Sequence, residues 1–181
     1  LLHWPCTSLA DTVAAYRALE AFVHSGRVRS IGISNFNASA IEALLPRVSI
    51  VPAVHPCGYS IAHHNQSASA LGGDDATLST CEKHGIRYSA WSPLWSPLGH
   101  HPNGFSVLHD PTVNAVADAH WRSAAQVALR WVVQQGIPVI PKSANPKPAP
   151  YTHLTLPTIP HWYIPVVPHP FNQNSVSSPR P

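Results

Sequence analysis

The chain has 181 residues, the length of about one domain, with no Met, 20 Pro and only 10% charged residues. Average usage of about 5% Pro and about 25% charge sets it apart from a complete, ordinary globular domain, and the missing Met predicts that its start lies upstream. A net charge of +3 from scattered Lys and Arg argues against a nucleic-acid groove, and the absence of any window near ~18 apolar residues, or of a basic-then-apolar leader, argues against a membrane span or signal peptide.

Leu1–His3 reads as the end of an apolar strand. Asp11–Ser25 reads as a helix, because Val13, Tyr16, Leu19, Phe22 and Val23 fall on one face. Gly26 stands where such a helix stops. Val28–Ile33 is a predicted strand, rich in β-branched residues. Ala38–Leu45 is a short helix that must end before Pro46. Val48–Val54 is a predicted strand, weakened by Pro52, and residues 55–75 read as a loop. Ala76–His84 is a helix stopped by Gly85, followed by a strand over Ile86–Trp91. Residues 92–110 form a loop heavy in Pro, Gly and His. Pro111–Ala119 is a helix. Ser123 can cap a second one over Ala124–Gln135, with Val127, Leu129, Trp131 and Val132 as its apolar set. Gly136 stops it, and Ile137–Ile140 is a last buried strand.

The composition changes near Lys147. Nine of the 20 Pro fall in residues 148–181, which carry one charged residue, Arg180, and no apolar period. Such density removes backbone donors and forbids helix interiors, so residues 148–181 are expected to be irregular or disordered. The 13 His are scattered without metal-ligand spacing, and no metal is expected. Cys6, Cys57 and Cys81 lack a C-x-x-C pair, which fits free thiols in a reducing compartment. Neither Cys57 nor Cys81 has the electropositive surroundings of a nucleophile.

Alternating strands and helices predict parallel strands joined by crossover helices. No G-x-G-x-x-G follows the first strand, which disfavours a Rossmann site. The alternative is a (β/α)8 barrel, of which these residues supply only the last five strands, an incomplete TIM barrel. Reactive groups of a barrel gather at the carboxyl ends of its strands. Those positions here hold His3-Trp4, Ser34-Asn35, Trp91-Ser92 with Leu94, and Lys142-Ser143. Imidazole, hydroxyl, carboxamide, aromatic face and ammonium on one rim suit an anionic, planar, amide-bearing ligand beside a polarised carbonyl.

Four segments carry a resemblance: LLHWP, LEAFVHSGRVRSIGISNF, CEKHGIRYSAWSPL and AQVALRWVVQQGIPVIPKS. In order and spacing they resemble the aldo-keto reductase family over nearly all of residues 1–147. The resemblance implies an incomplete (β/α)8 barrel and an NADPH-dependent oxidoreductase that passes hydride to an aldehyde or ketone. It implies a small-molecule carbonyl substrate, a monomeric parent enzyme and a cytoplasmic location. His3 matches the catalytic His that orients the carbonyl, and Trp4 a wall of the substrate pocket. Ser34 and Asn35 match the pair that binds the nicotinamide carboxamide. Trp91 falls where the family usually stacks a Tyr on the nicotinamide ring, and an indole can stack as well. Ser92 and Leu94 match contacts along the pyrophosphate. Lys142 and Ser143 match the group that holds the adenosine 2′-phosphate, hence NADPH rather than NADH.

The departures from the family are equally specific. Its catalytic Tyr, Lys and Asp belong to the first three strands, so only His3 of the four is present. PAVNQxExHP, whose Gln binds the carboxamide, is replaced by Pro52-Ala53-Val54 followed directly by His55-Pro56, as if a short run were deleted. WSPL occurs twice, at Trp91–Leu94 and Trp95–Leu98. Pro148 stands where an adenine-side Arg is expected. Tyr151–Thr158, YTHLTLPT, resembles the translation of a sequencing-library adapter, so the tail is expected to be foreign to the fold. Two rival readings accompany the enzyme: a non-catalytic cofactor-binding or regulatory barrel subunit, and a truncated product without function.

Overall fold

The computed structural model describes residues 1–62, 64, 73–94 and 106–142. The chain divides into two units, Leu1–Asn145 and Pro146–Pro181. The expected Pro-rich tail and the second WSPL copy lie outside the described residues.

Helix α1 spans Leu9–His24, two residues earlier than its apolar spacing predicts. Ser8 sets the start: its Oγ accepts the Asp11 N–H at 3.1 Å, which satisfies one of the orphan donors of the first turn. Gly26 follows the helix at φ +70°, the left-handed position glycine adopts without a Cβ clash. Val13 and Tyr16 are buried as expected, but Phe22 is 41% exposed. Its ring lies 5.8 Å from the Arg27 guanidinium carbon instead of in the core. Helix α2, Ala38–Leu44, is capped by Asn37 and tightens into a 3-10 turn over Leu45–Arg47, where Pro46 cannot extend the α-helical ladder.

The third strand is displaced from its predicted place. Residues 48–53 form no strand, and β1 runs over Val54–Gly58. The reason is capture by α1. Glu20 Oε1 accepts the N–H groups of Ser49 and Ile50 at 2.6 and 2.7 Å, and the Tyr16 hydroxyl donates to the Ile50 carbonyl at 3.1 Å. Backbone groups bonded to helix side chains are not available to a sheet ladder. The segment expected to be a loop therefore supplies the strand.

Helix α3, Asp75–Lys83, is capped by Asp74. It leads to β2 over Arg87–Trp91, which pairs in parallel with all of β1, from Val54 opposite Arg87 to Gly58 opposite Trp91. A 3-10 turn over Val107–His109 and helices α4, Pro111–Ala119, and α5, Ala124–Val133, precede β3, Val139–Ile140, parallel to β2. Ser123 and Gln126 form a reciprocal capping box at the start of α5. Ser123→Ala is expected to lower stability by about 1 kcal/mol, read as a fall in the urea midpoint; an unchanged midpoint would show that the box contributes nothing.

The sheet continues beyond the three named strands. Leu2 makes a parallel bridge to Ile33, with Leu2 N–H donating to Gly32 O and Ser34 N–H to Leu2 O, both at 2.9 Å. Ala53 N–H donates to Ile31 O at 2.8 Å and Ile33 N–H to Val54 O at 3.1 Å. Val28–Ile33 thus gives one bridge position and not a full strand, because its pairing slips by a residue between these two bonds. The spatial order of the five segments is the order of the chain. A doubly wound sheet reverses direction at a switch point; this sheet grows one way only. The core beneath it joins Tyr16, Ile33, Phe36, Ile41, Leu44, Cys57, Tyr59, Tyr88, Trp131 and Val132.

Candidate functional site

The carboxyl ends of the parallel segments bring several polar side chains to one rim. The segment after Ile33 turns sharply: Asn35 has φ +60° and is 1% exposed. Asn tolerates this left-handed conformation better than most residues, because its short amide can bond locally. Its Nδ2 donates to the His3 carbonyl at 2.9 Å, and its Oδ1 accepts the Trp91 Nε1–H at 3.0 Å. One carboxamide therefore ties the ends of three segments together. The neighbouring Ser34 is also buried, and its Oγ donates to the Pro56 carbonyl at 2.7 Å. The Asn35 N–H reaches the same carbonyl at 3.3 Å.

Trp91 is the last residue of β2, and Gly58 the last of β1, directly opposite. A Cβ built on Gly58 would meet two indole carbons at 3.2 and 3.3 Å. The missing side chain is what lets the indole lie over the end of β1. Ser92 follows at φ +49°. Two of the three described non-glycine residues at positive φ are thus rim residues, Asn35 and Ser92, and the third is Trp121. Such backbone costs about 1–3 kcal/mol each and gathers at functional sites.

The other expected site residues differ in setting. The His3 ring is exposed and packs edge-on to Trp4, 5.8 Å between centroids, while Trp4 is 45% exposed. Leu94 is half-buried in the turn after β2, and the Lys142 side chain is exposed just past β3. Ser143 lies outside the described residues. His3, Asn35 and Trp91 are joined by hydrogen bonds, with Ser34 beside them.

β1 pairs without a break through the point of the expected deletion, from Val54 to Gly58. Read without a gap, PAVHP sets His55 and Pro56 against the Asn and Gln of PAVNQ. Pro56 acts through its carbonyl, which holds both Ser34 and Asn35. Sequence reasoning missed His55 and Gly58; continuing the motif through β1 would have found both.

His55 is fully buried beneath the rim. Its Nε2 accepts the Phe36 N–H at 3.1 Å. Burial pushes its pKa down to about 4, because a low-dielectric site disfavours the imidazolium. Cys57 Sγ lies 3.2 Å from both ring nitrogens and Cys81 Sγ 3.4 Å from Nδ1. Burial likewise pushes the Cys57 thiol up and the Cys81 thiol to about 12, so neither is a thiolate at neutral pH. Among the described residues no three His, Cys, Asp or Glu are grouped to hold a metal ion, and no helix is long and apolar enough to cross a membrane.

Parallel strands in chain order, crossover helices and a polar rim at the strand ends define an α/β protein of barrel lineage. Comparison with known proteins makes this specific. The model of the Aldo/keto reductase family matches residues 1–150, and the chain belongs to that family. Among curated relatives it is similar to morphine 6-dehydrogenase of Pseudomonas putida, 35% identical over 81% of this chain and 48% of the relative. It is also similar to aldo-keto reductase family 1 member A1 of Mus musculus, 37% identical over the same shares. Among solved structures, an aldo/keto reductase from Brucella melitensis superposes with a TM-score of 0.64 at 34% identity, covering 81% of this chain and 49% of that one. A mutant of Gox0644 in complex with NADPH gives 0.63 at 35% identity, covering 80% and 47%. The chain spans about half the length of the curated relatives it matches.

Proposed function

We propose that this chain is the carboxyl-terminal part, the last five strands, of an NADPH-dependent carbonyl reductase, and that the 181-residue chain is itself inactive. The observation that carries the reading is the Asn35–His3–Trp91 junction, in which one buried carboxamide links three strand ends of an aldo/keto reductase chain. The donor set fits a nicotinamide. Asn35 Oδ1 accepts one bond from Trp91 and, as an amide oxygen, has capacity for a second. The half-buried Trp91 ring supplies an aromatic face, and the exposed Lys142 a point charge suited to a phosphate.

The cofactor supplies the hydride when bound; the protein supplies position and field. Asn35, Ser34 and Trp91 would hold the cofactor's nicotinamide end. With the cofactor bound, Ser92 and Leu94 would border the pyrophosphate, and Lys142, with Ser143 next in sequence, would hold the 2′-phosphate. His3 donates a hydrogen bond to the carbonyl oxygen of a small aldehyde or ketone, where negative charge develops. Trp4 forms a wall beside it. In the family a Tyr on the first strands gives the proton to the developing alkoxide, and none of the residues assigned here takes that part. The parent enzyme is a monomer in the cytoplasm.

The purified 181-residue chain is expected to give no NADPH-dependent reduction of a simple aldehyde, and to bind NADPH more weakly than micromolar because the family's carboxamide-binding Gln and adenine-side Arg are both missing. Fusing it behind the amino-terminal half of a relative, which brings the Tyr, Lys and Asp, is expected to restore turnover. His3→Ala in that fusion should lower kcat at least ~100-fold, the usual scale of an acid–base contribution. Turnover by the unfused chain that disappears on His3→Ala would overturn the proposed inactivity. A fusion that folds yet reduces nothing would favour a non-catalytic binding role.

A further inference from the structure

We infer that His55 is a positioning residue for the rim: its neutral imidazole, protonated on Nδ1, uses the bare Nε2 to hold the Phe36 N–H and with it the left-handed turn at Asn35. The functional half of this statement rests on the reading of Asn35 as a nicotinamide ligand. The first half rests on geometry alone.

A left-handed non-glycine residue is held most firmly where its surroundings over-determine it. Here two successive N–H groups of the turn are both held by β1. Asn35 N–H donates to the Pro56 carbonyl at 3.3 Å, and Phe36 N–H donates to His55 Nε2 at 3.1 Å. The first is main chain to main chain. The second is a side chain reaching up from within the same strand. Both Phe36 and His55 have no solvent exposure, so water cannot replace the imidazole as acceptor. A buried backbone N–H left without a partner is costly, and among the described residues the bond recorded for this N–H is the one to His55 Nε2.

The bond also fixes the tautomer. A backbone N–H can donate to Nε2 only if that nitrogen carries no proton, so the ring proton sits on Nδ1. There it faces Cys81 Sγ from α3, a weak acceptor at 3.4 Å, while Cys57 Sγ from β1 lies 3.2 Å from both ring nitrogens and favours neither tautomer. The ring is further clamped edge-on by Phe36, with centroids 6.4 Å apart, and by Tyr88 of β2 at 5.9 Å. The titratable neighbours are thus Cys57, Cys81 and Tyr88, all uncharged at neutral pH because burial pushes each of them up. Asp74, at the start of α3, spends its carboxylate on the Thr77 N–H and hydroxyl. Burial decides against the imidazolium and holds the His55 pKa down at about 4. From Phe36 the constraint passes to Asn35, whose carboxamide then meets His3 O and Trp91 Nε1–H.

The test is nuclear magnetic resonance of the full 181-residue chain at pH 7. Long-range nitrogen–proton spectra of His55 are expected to show the Nδ1–H tautomer, with a coupling across the hydrogen bond from the Phe36 amide. In His55→Phe, which keeps a ring but has no acceptor, exchange of the Phe36 amide should quicken about tenfold, the scale of one net hydrogen bond, while the α5 amides hold. His55→Gln, which returns an acceptor near the Nε2 position, should recover most of the protection. An Nε2–H tautomer in the wild-type chain, or an unchanged Phe36 exchange rate in His55→Phe, overturns the inference. If His55→Phe fails to fold, the wild-type tautomer decides alone. The cofactor reading is scored separately: saturating NADPH should shift the Asn35 side-chain amide signals. No shift, with the Nδ1–H tautomer intact, sinks that reading and leaves the positioning role standing.

Discussion

Gly32→Ala is expected to destabilise the described unit by about 3 kcal/mol, the upper end of what overpacking a filled site costs. A Cβ at Gly32 would overlap the Val54 carbonyl oxygen, and would lie 2.7 Å from Leu1 Cδ2 and 2.8 Å from Val54 Cγ2. Side-chain methyls can turn away. The carbonyl cannot, because it accepts the Ile33 N–H that joins this segment to β1. Adding one methyl therefore forces the backbone apart where Leu2, Ile33 and Val54 converge, beside the Asn35 turn. In urea, with slopes of ~1–3 kcal/mol per molar, the midpoint should fall by roughly 1–3 M with an unchanged slope. Gly26→Ala is the control: open space surrounds it, and only its φ of +70° opposes a side chain, so its cost should be nearer 1 kcal/mol. Equal midpoints for Gly32→Ala and wild type would show that the close approach is not real.

Acid is expected to weaken the same unit through His55. Its pKa lies near the ordinary 6.5 in the unfolded chain and is pushed down to about 4 in the fold. Between these values the unfolded chain binds more protons than the folded one, so stability falls as pH falls. The loss begins near pH 6.5, is complete near pH 4, and amounts to about 3 kcal/mol. The proton is taken up by the unfolded chain; the fold resists it, because a proton on Nε2 would end its acceptance of the Phe36 N–H and place a charge among Cys57, Cys81 and Tyr88. The other 12 of the 13 His supply a background that the His55→Gln variant shares. The wild-type urea midpoint should therefore drop more steeply between pH 7 and pH 4 than that of His55→Gln. Parallel pH profiles for the two would rule out His55 as the source.

Much of this was legible in the order of residues. Helix positions followed from apolar spacing and from caps, because both depend on neighbours a few residues away. Ser123 announced α5, and Gly26, Gly85 and Gly136 marked three stops at positive φ. The rim residues were legible as well: reactive side chains at strand ends follow from where a parallel sheet leaves its carboxyl termini. The strand at residues 48–54 was not legible. Its apolar run has strand character, yet Glu20 and Tyr16, some 30 positions earlier, take its backbone groups. Phe22 obeyed the helical period and still faces solvent.

The chain's linear pattern by itself determined the alternation of elements, the parallel sense of the sheet and the residues at its carboxyl ends, since local propensity and crossover connections leave few other outcomes. Only the tertiary structure decided where β1 begins, that His55 and Pro56 continue it, that Gly58 makes room for Trp91, and that one Asn35 carboxamide joins three strand ends. Those features depend on which backbone groups and side chains meet across long sequence separations, and hydrogen bonds of that kind carry no local signature.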